Sequence, residues 1–197
     1  MRRILVIDNH DSFVYNAVQF LREAPGVGAV EVRPNDRIDL AALGSYDGIL
    51  LSPGPGIPRE AGMLPGAIDR IVRLRIPALG ICLGHQALAE AFGAQLVQLA
   101  APLHGHATTL RDVDFSDPLF RGMERAPVVG RYHSWTVARR SLPEELVVTS
   151  CDEQGDVMSL RHRSLPLHGV QFHPESCISD CGERMFRNWL ATLGARR

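Results

Sequence analysis

The chain has 197 residues, of which 45% are hydrophobic, and a formal net charge of −1. This length and apolar content predict a single globular domain over residues 1–197, and the near-neutral charge gives no reason to expect a nucleic acid or a membrane surface as partner. All 21 basic residues are arginine, so the lysine that a Walker A loop or a pyridoxal phosphate Schiff base requires is missing, which excludes both mechanisms.

The N-terminal segment does not have the pattern of a targeting signal. Arg2 and Arg3 are followed by only four apolar residues before Asp8, too few for the apolar part of a signal peptide. No apolar run approaches the roughly 18 residues that a membrane-spanning helix needs. We therefore expect a cytoplasmic protein, in which the four cysteines stay reduced.

In chain order, short apolar runs of strand length alternate with segments of helical period. The segment 66–74 places Ile68, Ile71 and Val72 on one helical face, and Gly93 is suited to end the helix that precedes it. The predicted strands are 3–8, 30–33, 48–51, 78–81, 157–161 and 169–172, and the predicted helices are 12–22, 39–43, 66–74, 86–92 and 182–192. Asp11 or Ser12 is available to cap the first helix.

This alternation predicts an α/β fold with an open, mainly parallel sheet and helices on both of its faces. Residues 95–149 differ, because prolines break them into short, mostly β pieces, and they predict a small β excursion. A functional site is expected at the carboxyl ends of the parallel strands.

A cysteine stands on a glycine-flanked turn in Gly80-Ile81-Cys82-Leu83-Gly84, between a predicted strand and a predicted helix. Such a turn thrusts a nucleophile out of the sheet, leaves the amides of Leu83 and Gly84 free for an oxyanion, and favours the thiolate at the helix N-terminus. A cysteine taken alone is more often a small buried hydrophobic residue. The turn favours the nucleophile.

A histidine and a glutamate follow the last predicted strand, in His173-Pro174-Glu175. Pro174 biases His173 toward an extended conformation, and residues two apart on an extended chain share a face. The pair suits a general base and the carboxylate that orients it. An isolated pair of this kind is more often a surface feature, but together with the cysteine turn it favours a nucleophile–base–orienter arrangement.

The loop Ser52-Pro53-Gly54-Pro55-Gly56 follows the predicted strand 48–51. Its glycines allow another backbone or a ligand to approach closely. The loop is either a tight connection or the source of a second oxyanion donor, from an amide of Gly54 or Gly56.

Together, several motifs resemble the class I glutamine amidotransferases that have a Cys-His-Glu triad. The motifs are Ser52-Pro53-Gly54-Pro55-Gly56, Gly80-Ile81-Cys82-Leu83-Gly84-His85-Gln86, Arg131-Tyr132-His133-Ser134 and Gln171-Phe172-His173-Pro174-Glu175-Ser176. The opening Asp8-Asn9-His10-Asp11-Ser12-Phe13-Val14-Tyr15-Asn16 is similar to glutaminase subunits of chorismate-using synthases. The resemblance extends from Ile4 to about Leu190 and implies the flavodoxin-like fold of these glutaminases.

The resemblance also implies the roles of individual residues. The triad would be Cys82, His173 and Glu175, and the oxyanion donors would be Leu83 with Gly54 or Gly56. The residues implied for glutamine binding are Gly54, Pro55, Gly56, Gln86, Ser134 and Trp135, the last two acting largely through backbone groups. Two positions depart from the family, which usually has lysine at His106 and often leucine at Trp135.

The activity that this resemblance implies is hydrolysis of L-glutamine to glutamate and ammonia, with the ammonia passed to a chorismate-using synthase subunit. That partner would be anthranilate synthase, aminodeoxychorismate synthase, or either in turn. No cofactor or metal is expected in this chain, because Cys177 and Cys181 have no matching second pair and His104-Gly105-His106 has the pattern of a turn. A metal ion, magnesium, is expected in the partner. A cysteine hydrolase and a non-catalytic regulatory subunit of the same fold remain open as alternatives.

Overall fold

The computed structural model describes residues 1–194, which form eleven strands and four α-helices. The strands are β1 (Arg2–Asp8), β2 (Val27–Pro34), β3 (Gly48–Leu51), β4 (Ala78–Ile81), β5 (Leu96–Gln98), β6 (His106–Thr109), β7 (Val128–Arg131), β8 (Trp135–Val137), β9 (Leu146–Cys151), β10 (Val157–His162) and β11 (Leu167–Val170). The helices are α1 (Val14–Glu23), α2 (Leu64–Leu74), α3 (Leu83–Ala91) and α4 (Gly182–Thr192).

Seven of these strands form one sheet in the order β2-β1-β3-β4-β11-β10-β9. The first five are parallel to their neighbours, whereas β10 and β9 are antiparallel additions at one edge. The parallel part has the strand order of flavodoxin-like folds, in which the order reverses beside β1 and a crevice opens at the carboxyl ends. The predicted α/β fold is confirmed.

Helices cover both faces of the sheet because the strand side chains alternate between two apolar layers. Ile4 and Val6 of β1 pack in one core with α1 and α4. Leu5 and Ile7 of the same strand point the other way, into a second core formed with α2 and α3. Strands buried on both faces read as continuous apolar runs, which is why they were readable from the sequence.

The boundaries of several elements differ from those predicted. Helix α4 begins and ends as predicted, but α3 begins three residues earlier, directly after Cys82. Helix α1 begins at Val14, and neither proposed residue caps it. The Asp11 carboxylate instead accepts a hydrogen bond from the Phe13 amide at 2.8 Å, which closes a turn before the helix. The helix predicted at 39–43 is only a 3-10 turn over Ala42–Ser45.

The predicted β excursion consists of two small antiparallel sheets, β5 with β8 and β6 with β7. Strand β9, whose sequence was included in the excursion, belongs to the main sheet and forms its edge. Within residues 1–194, no helix is both long enough and apolar enough to span a bilayer.

Candidate active site

The cysteine turn lies where β4 passes directly into α3, at the carboxyl edge of the sheet. Cys82 has φ +50° and ψ −101°, a region that L-residues rarely occupy, and it is 6% exposed. A Cβ on Gly80 would collide with the carbonyl of Gly84, and a Cβ on Gly84 would collide with the carbonyl of Leu51. Both glycines are therefore required by the close backbone approach that forms the turn.

His173 and Glu175 come together beside this turn. His173 Nδ1 lies 2.8 Å from Glu175 Oε1, and both side chains are almost fully buried. The extended geometry expected from Pro174 holds only for His173, whose amide donates to the Gly130 carbonyl, whereas Glu175 lies in a turn. The two side chains meet nonetheless. Within the described residues, Nε2 of His173 has no hydrogen-bond acceptor or donor, which leaves it available for proton transfer.

The electrostatic surroundings of His173 favour the imidazolium. Burial by itself lowers the pKa of His173, but interactions with the Cys82 thiol and with the Glu175 carboxylate outweigh burial and raise the pKa to about 10. Because the Cys82 thiol is one of the groups that raise the pKa of His173, its sulfur lies within interaction range of the imidazole ring. No hydrogen bond of ordinary geometry joins the sulfur to His173 Nε2. The arrangement suits a thiolate–imidazolium pair.

A buried amide network holds the loop that follows β3. The Asn9 amide donates to Ser52 Oγ at 2.8 Å, and Asn9 Nδ2 donates to the Ser52 carbonyl at 2.9 Å. Asn35 Nδ2 in turn donates to Asn9 Oδ1 at 3.1 Å. A Cβ on Gly54 would lie only 2.6 Å from the Asn9 Cβ and 2.8 Å from Leu83 Cδ2. Glycine at 54 therefore lets the loop lie against the start of α3.

The two other loop residues named from the sequence lie further out. Gly56 has φ +74°, a conformation that favours glycine, and both Gly56 and Pro55 are exposed. The atom nearest to a Cβ on Gly56 would be Glu60 Oε2, at 3.7 Å. Of the two proposed glycines, the structure thus brings Gly54, and not Gly56, into contact with Leu83.

The remaining predicted residues are Gln86, Ser134 and Trp135. Gln86, in the first turns of α3, is buried, and its Nε2 donates to the Trp135 carbonyl at 2.7 Å. The same carbonyl is 2.9 Å from His133 Nδ1. The Ser134 carbonyl accepts a hydrogen bond from the Leu99 amide at 2.8 Å. The structure therefore joins Gln86 and Trp135 directly, through the backbone group of Trp135.

Comparison with known proteins shows to which family the chain belongs. The sequence model described as "Glutamine amidotransferase class-I" matches residues 5–193. The chain belongs to the class I glutamine amidotransferase family. It is 41% identical over 195 residues to anthranilate synthase component 2 of Mycobacterium tuberculosis, which covers 98% of this chain and 83% of that protein.

Two further relatives are informative about the range of this glutamine amidotransferase family. Aminodeoxychorismate/anthranilate synthase component 2 of Bacillus subtilis is 40% identical over 190 residues, 96% of each chain. A solved Thermoplasma acidophilum structure, assigned provisionally to GMP synthase, superposes with a TM-score of 0.85 at 30% identity and covers 97% of this chain and 93% of its own.

The glutamine amidotransferase site contains one buried contact that sequence reasoning missed. Gln171 is fully buried, and its Nε2 lies 3.6 Å from the sulfur of Cys82, while its Oε1 accepts from Gln86 Nε2 at 3.1 Å. Gln171 was quoted as part of a motif without a role. Gln171 directly follows β11, and Cys82 directly follows the neighbouring parallel strand β4. This shared position at the sheet edge is the sequence signal from which the contact could have been predicted.

Two aromatic side chains also contact His173, and the sequence did not indicate them. The rings of Phe13 and Tyr132 approach His173 at centroid distances of 5.2 and 5.0 Å, both in edge-to-face geometry. Tyr132 is held by a 2.8 Å hydrogen bond between its hydroxyl and Ser176 Oγ. These contacts restrict the imidazole to one orientation and limit the access of water.

The positions weighed as metal ligands do not converge within residues 1–194. Cys177 is exposed in a turn, whereas Cys181 is buried at the start of α4, so the two do not share a helix. No group of three or more potential metal ligands forms in this part of the chain. His106, which replaces the usual lysine of the glutamine amidotransferases, is exposed opposite Arg131 in the β6–β7 pair.

Proposed function

We propose that this glutamine amidotransferase is the glutaminase subunit of a chorismate-using synthase, to which it passes the ammonia that it releases from L-glutamine. The observation that carries the proposal is the buried set of Cys82 on its strained turn beside His173, with the Glu175 carboxylate 2.8 Å from the imidazole. A nucleophile, a base and an orienting carboxylate are the parts that acyl transfer from an amide requires.

In the proposed reaction, the Cys82 thiolate attacks the side-chain amide carbon of glutamine and forms a tetrahedral oxyanion. The amide of Leu83, at the start of α3, has no partner within the helix and is one oxyanion donor. The second donor is an amide of the 52–56 loop, and the contact of Gly54 with Leu83 favours Gly54 over Gly56. Loss of one such donor costs about 3 kcal/mol in other enzymes, or about a hundredfold in rate.

His173 carries the proton in both halves of the reaction. As the imidazolium, it protonates the departing ammonia and leaves a glutamyl thioester on Cys82. As the neutral base, it then takes a proton from the water that releases glutamate. The Glu175 carboxylate stabilises the imidazolium and keeps the ring proton on Nδ1, so that Nε2 faces the reacting atoms.

Glutamine binding is proposed for the region around Cys82, between the 52–56 loop and Gln86. Both hydrogens of Gln86 Nε2 are used, by Trp135 O and by Gln171, so its Oε1 is the atom left to accept from the substrate α-ammonium. The Trp135 carbonyl already accepts two hydrogen bonds, so Trp135 and Ser134 would contribute their amide N–H groups. Pro55 would line the edge of this region.

The partner is proposed to be the synthase subunit of anthranilate synthase, because relatives named for component 2 of that enzyme match almost the whole chain. The alternative partner is the synthase subunit of aminodeoxychorismate synthase. One glutaminase could also act with both synthases, as the name of the Bacillus subtilis relative implies for that protein. A magnesium ion is proposed for the synthase subunit, no cofactor is proposed for this chain, and a cytoplasmic location is proposed for the complex.

The proposal is tested by reconstituting the chain with a candidate synthase subunit, followed by identification of the product made from chorismate and glutamine. Cys82→Ala should abolish synthesis with glutamine and spare synthesis with ammonia, because Cys82 acts only in making ammonia. A glutamine analogue that alkylates the nucleophile should modify Cys82 and not Cys177. Glutamate release at the wild-type rate by Cys82→Ala, or labelling confined to Cys177, would contradict the proposed nucleophile.

The same reconstitution tests the dependence on a partner. The segments 8–13, 52–56 and 131–135 surround Cys82 at the carboxyl edge, where a docked subunit would hold the loop that carries the second oxyanion donor. The partner should therefore raise kcat for glutamine hydrolysis, and chorismate should raise it further. Full glutaminase activity of the isolated chain, unchanged by either candidate synthase, would contradict the assignment as a synthase component and favour a free-standing glutaminase.

A further inference from the structure

Gln171 contacts the reacting sulfur from a rigid position. Its side chain is fully buried, and its amide N–H donates to the Met158 carbonyl at 2.8 Å, which fixes the backbone just beyond β11. The only polar neighbours that its amide group has among the described residues are Gln86 and Cys82. What the contact with Cys82 does depends on whether oxygen or nitrogen of the amide faces the sulfur.

The hydrogen-bond network decides that question, because it contains a main-chain carbonyl, that of Trp135, which can only accept. Arg131 Nε donates to His133 Nε2 at 3.1 Å, so the ring proton of His133 lies on Nδ1. His133 Nδ1 then donates to the Trp135 carbonyl at 2.9 Å. A carbonyl can only accept, so the Gln86 atom 2.7 Å from it is the amide nitrogen.

The second hydrogen of Gln86 Nε2 sets the orientation of Gln171. It is donated to the Gln171 amide atom 3.1 Å away, which must therefore be the oxygen Oε1. The amide nitrogen of Gln171 is left to face Cys82 Sγ, at 3.6 Å. We call the series Arg131, His133, Trp135 carbonyl, Gln86 and Gln171 the donor relay.

The start of the donor relay is fixed by a buried ion pair. Arg131 Nη1 lies 2.5 Å from Asp152 Oδ2, and both side chains are at most 4% exposed. Asp152 is itself held by the amides of Gln154 and Asp156, which donate to its Oδ1 at 3.0 and 2.8 Å. Burial, and then the positive charge of Arg131, lower the pKa of His133 to about 3, so the ring stays neutral and its tautomer stays fixed.

We propose that Gln171 is a further catalytic residue, whose amide nitrogen donates a hydrogen bond to the Cys82 thiolate, and that His133 positions it by holding the Trp135 carbonyl to which Gln86 also donates. This inference rests on the proposed function, in which the Cys82 thiolate is the nucleophile. The thiolate is stabilised by two groups, the imidazolium of His173 and the neutral amide of Gln171. A neutral amide stabilises the negative sulfur without acting as a base toward its proton.

The test measures the rate of Cys82 alkylation by iodoacetamide as a function of pH, since only the thiolate reacts. The protein carries Cys177→Ser, because Cys177 is the exposed thiol, and peptide mass mapping follows Cys82 separately from the buried Cys151 and Cys181. Gln171→Met removes the donor at similar volume. Gln19→Met, at an exposed position of α1, is the matched control for the same exchange of side chains.

Gln171→Met should slow alkylation at pH 7 about tenfold, equivalent to about 1.4 kcal/mol, and should move its half-maximal pH upward by about one unit. Gln171→Glu keeps the acceptor for Gln86 but turns a carboxylate oxygen toward the sulfur, so its shift should be larger. Gln19→Met should not differ from the parent protein. Unchanged alkylation profiles in both folded Gln171 variants would overturn the proposal, and should one variant fail to fold, the other decides.

The positioning role of His133 has its own pair of variants. His133→Leu breaks the donor relay and should slow Cys82 alkylation in the same direction, whereas His133→Asn keeps an N–H near the place of Nδ1 and should restore it at least in part. Equal slowing in both variants would refute the relay. These alkylation measurements need neither glutamine nor a partner. If the chain hydrolyses no glutamine with any synthase, the proposed function is refuted, while the effect of Gln171 on Cys82 reactivity is still measured independently.

Discussion

Replacement of Glu175 by glutamine isolates the charge of the proposed triad carboxylate from its shape. The amide of Glu175→Gln has the same size, and its oxygen can still accept the proton of His173 Nδ1, which in the present structure lies 2.8 Å from the carboxylate. What disappears is the negative charge beside the imidazolium. The variant therefore asks how much of the proposed catalysis depends on that charge.

The structure allows an estimate of the loss. With both side chains almost fully buried, two unit charges about 4 Å apart at an effective dielectric constant of about 20 attract by about 4 kcal/mol. The retained neutral hydrogen bond offsets about 1 kcal/mol of this. A net loss of about 3 kcal/mol corresponds to a decrease in kcat of about a hundredfold. His173→Ala, which removes the proton carrier itself, should approach the loss expected for Cys82→Ala.

Glutamate release by the reconstituted complex, measured from pH 6 to pH 10, is the assay. The interactions that raise the pKa of His173 to about 10 include the charge of Glu175, so Glu175→Gln should lower that pKa. The alkaline limb of kcat/KM should consequently move to lower pH. A complete loss of activity equal to that of His173→Ala would contradict this reasoning and indicate that Glu175 is needed for folding or for substrate binding. A full rate with an unshifted alkaline limb would show that the charge has no role.

Three further predictions concern stability, each measured as the free energy of unfolding in urea. Gly84→Ala should destabilise the protein by at least about 2 kcal/mol or prevent folding, because the new Cβ would collide with the backbone of β3; an unaffected midpoint would mean that the turn relaxes. Asp152→Asn should lower the free energy of unfolding by about 3 kcal/mol, in the lower part of the range for a broken buried ion pair. The loss is limited because Asp156, 3.9 Å from Arg131, still partly balances the charge of the guanidinium. An unchanged free energy of unfolding would contradict the buried ion pair. The pKa of His173 is about 10 in the folded state and about 6.5 in the unfolded state. Its contribution to stability is therefore fully present below about pH 6.5 and is lost as the pH rises toward 10. A free energy of unfolding that stays constant between pH 6 and pH 10 would refute the raised pKa.

The central parallel strands β3, β4 and β11 were predictable because they are buried on both faces. Segments such as Gly48–Leu51 and Ala78–Ile81 have no polar face to confuse with a helix, and both strands begin and end as predicted. Strand Leu146–Cys151 was missed as a member of the main sheet because its burial is mixed and its partner, β10, follows it as an antiparallel neighbour. Pairing of that kind depends on tertiary packing and is not a local property of the sequence.

The candidate site was predictable to the extent that it depends on local backbone geometry. Gly80 and Gly84 indicated the turn, and the collisions that a Cβ would cause at both positions explain why only glycine fits. The start of α1 was misplaced for a similar local reason, since Asp11 satisfies the Phe13 amide in a turn and does not cap a helix. Which of Gly54 and Gly56 lies beside α3 depended on the Asn9–Asn35 network, which joins segments far apart in sequence.

The donor relay shows most clearly what a sequence cannot disclose. Its middle member is the main-chain carbonyl of Trp135, a group that every residue possesses, so no side-chain pattern marks it. Gln86 and Gln171 can each present nitrogen or oxygen to a neighbour, and the choice is made by the Trp135 carbonyl, which can only accept. A motif can thus place an amide side chain near the nucleophile, but the polarity of that amide, and with it the ability to stabilise a thiolate, is set by contacts between residues that lie 85 positions apart. The orientation of the amide beside Cys82 therefore depends on a main-chain carbonyl that no side-chain motif marks.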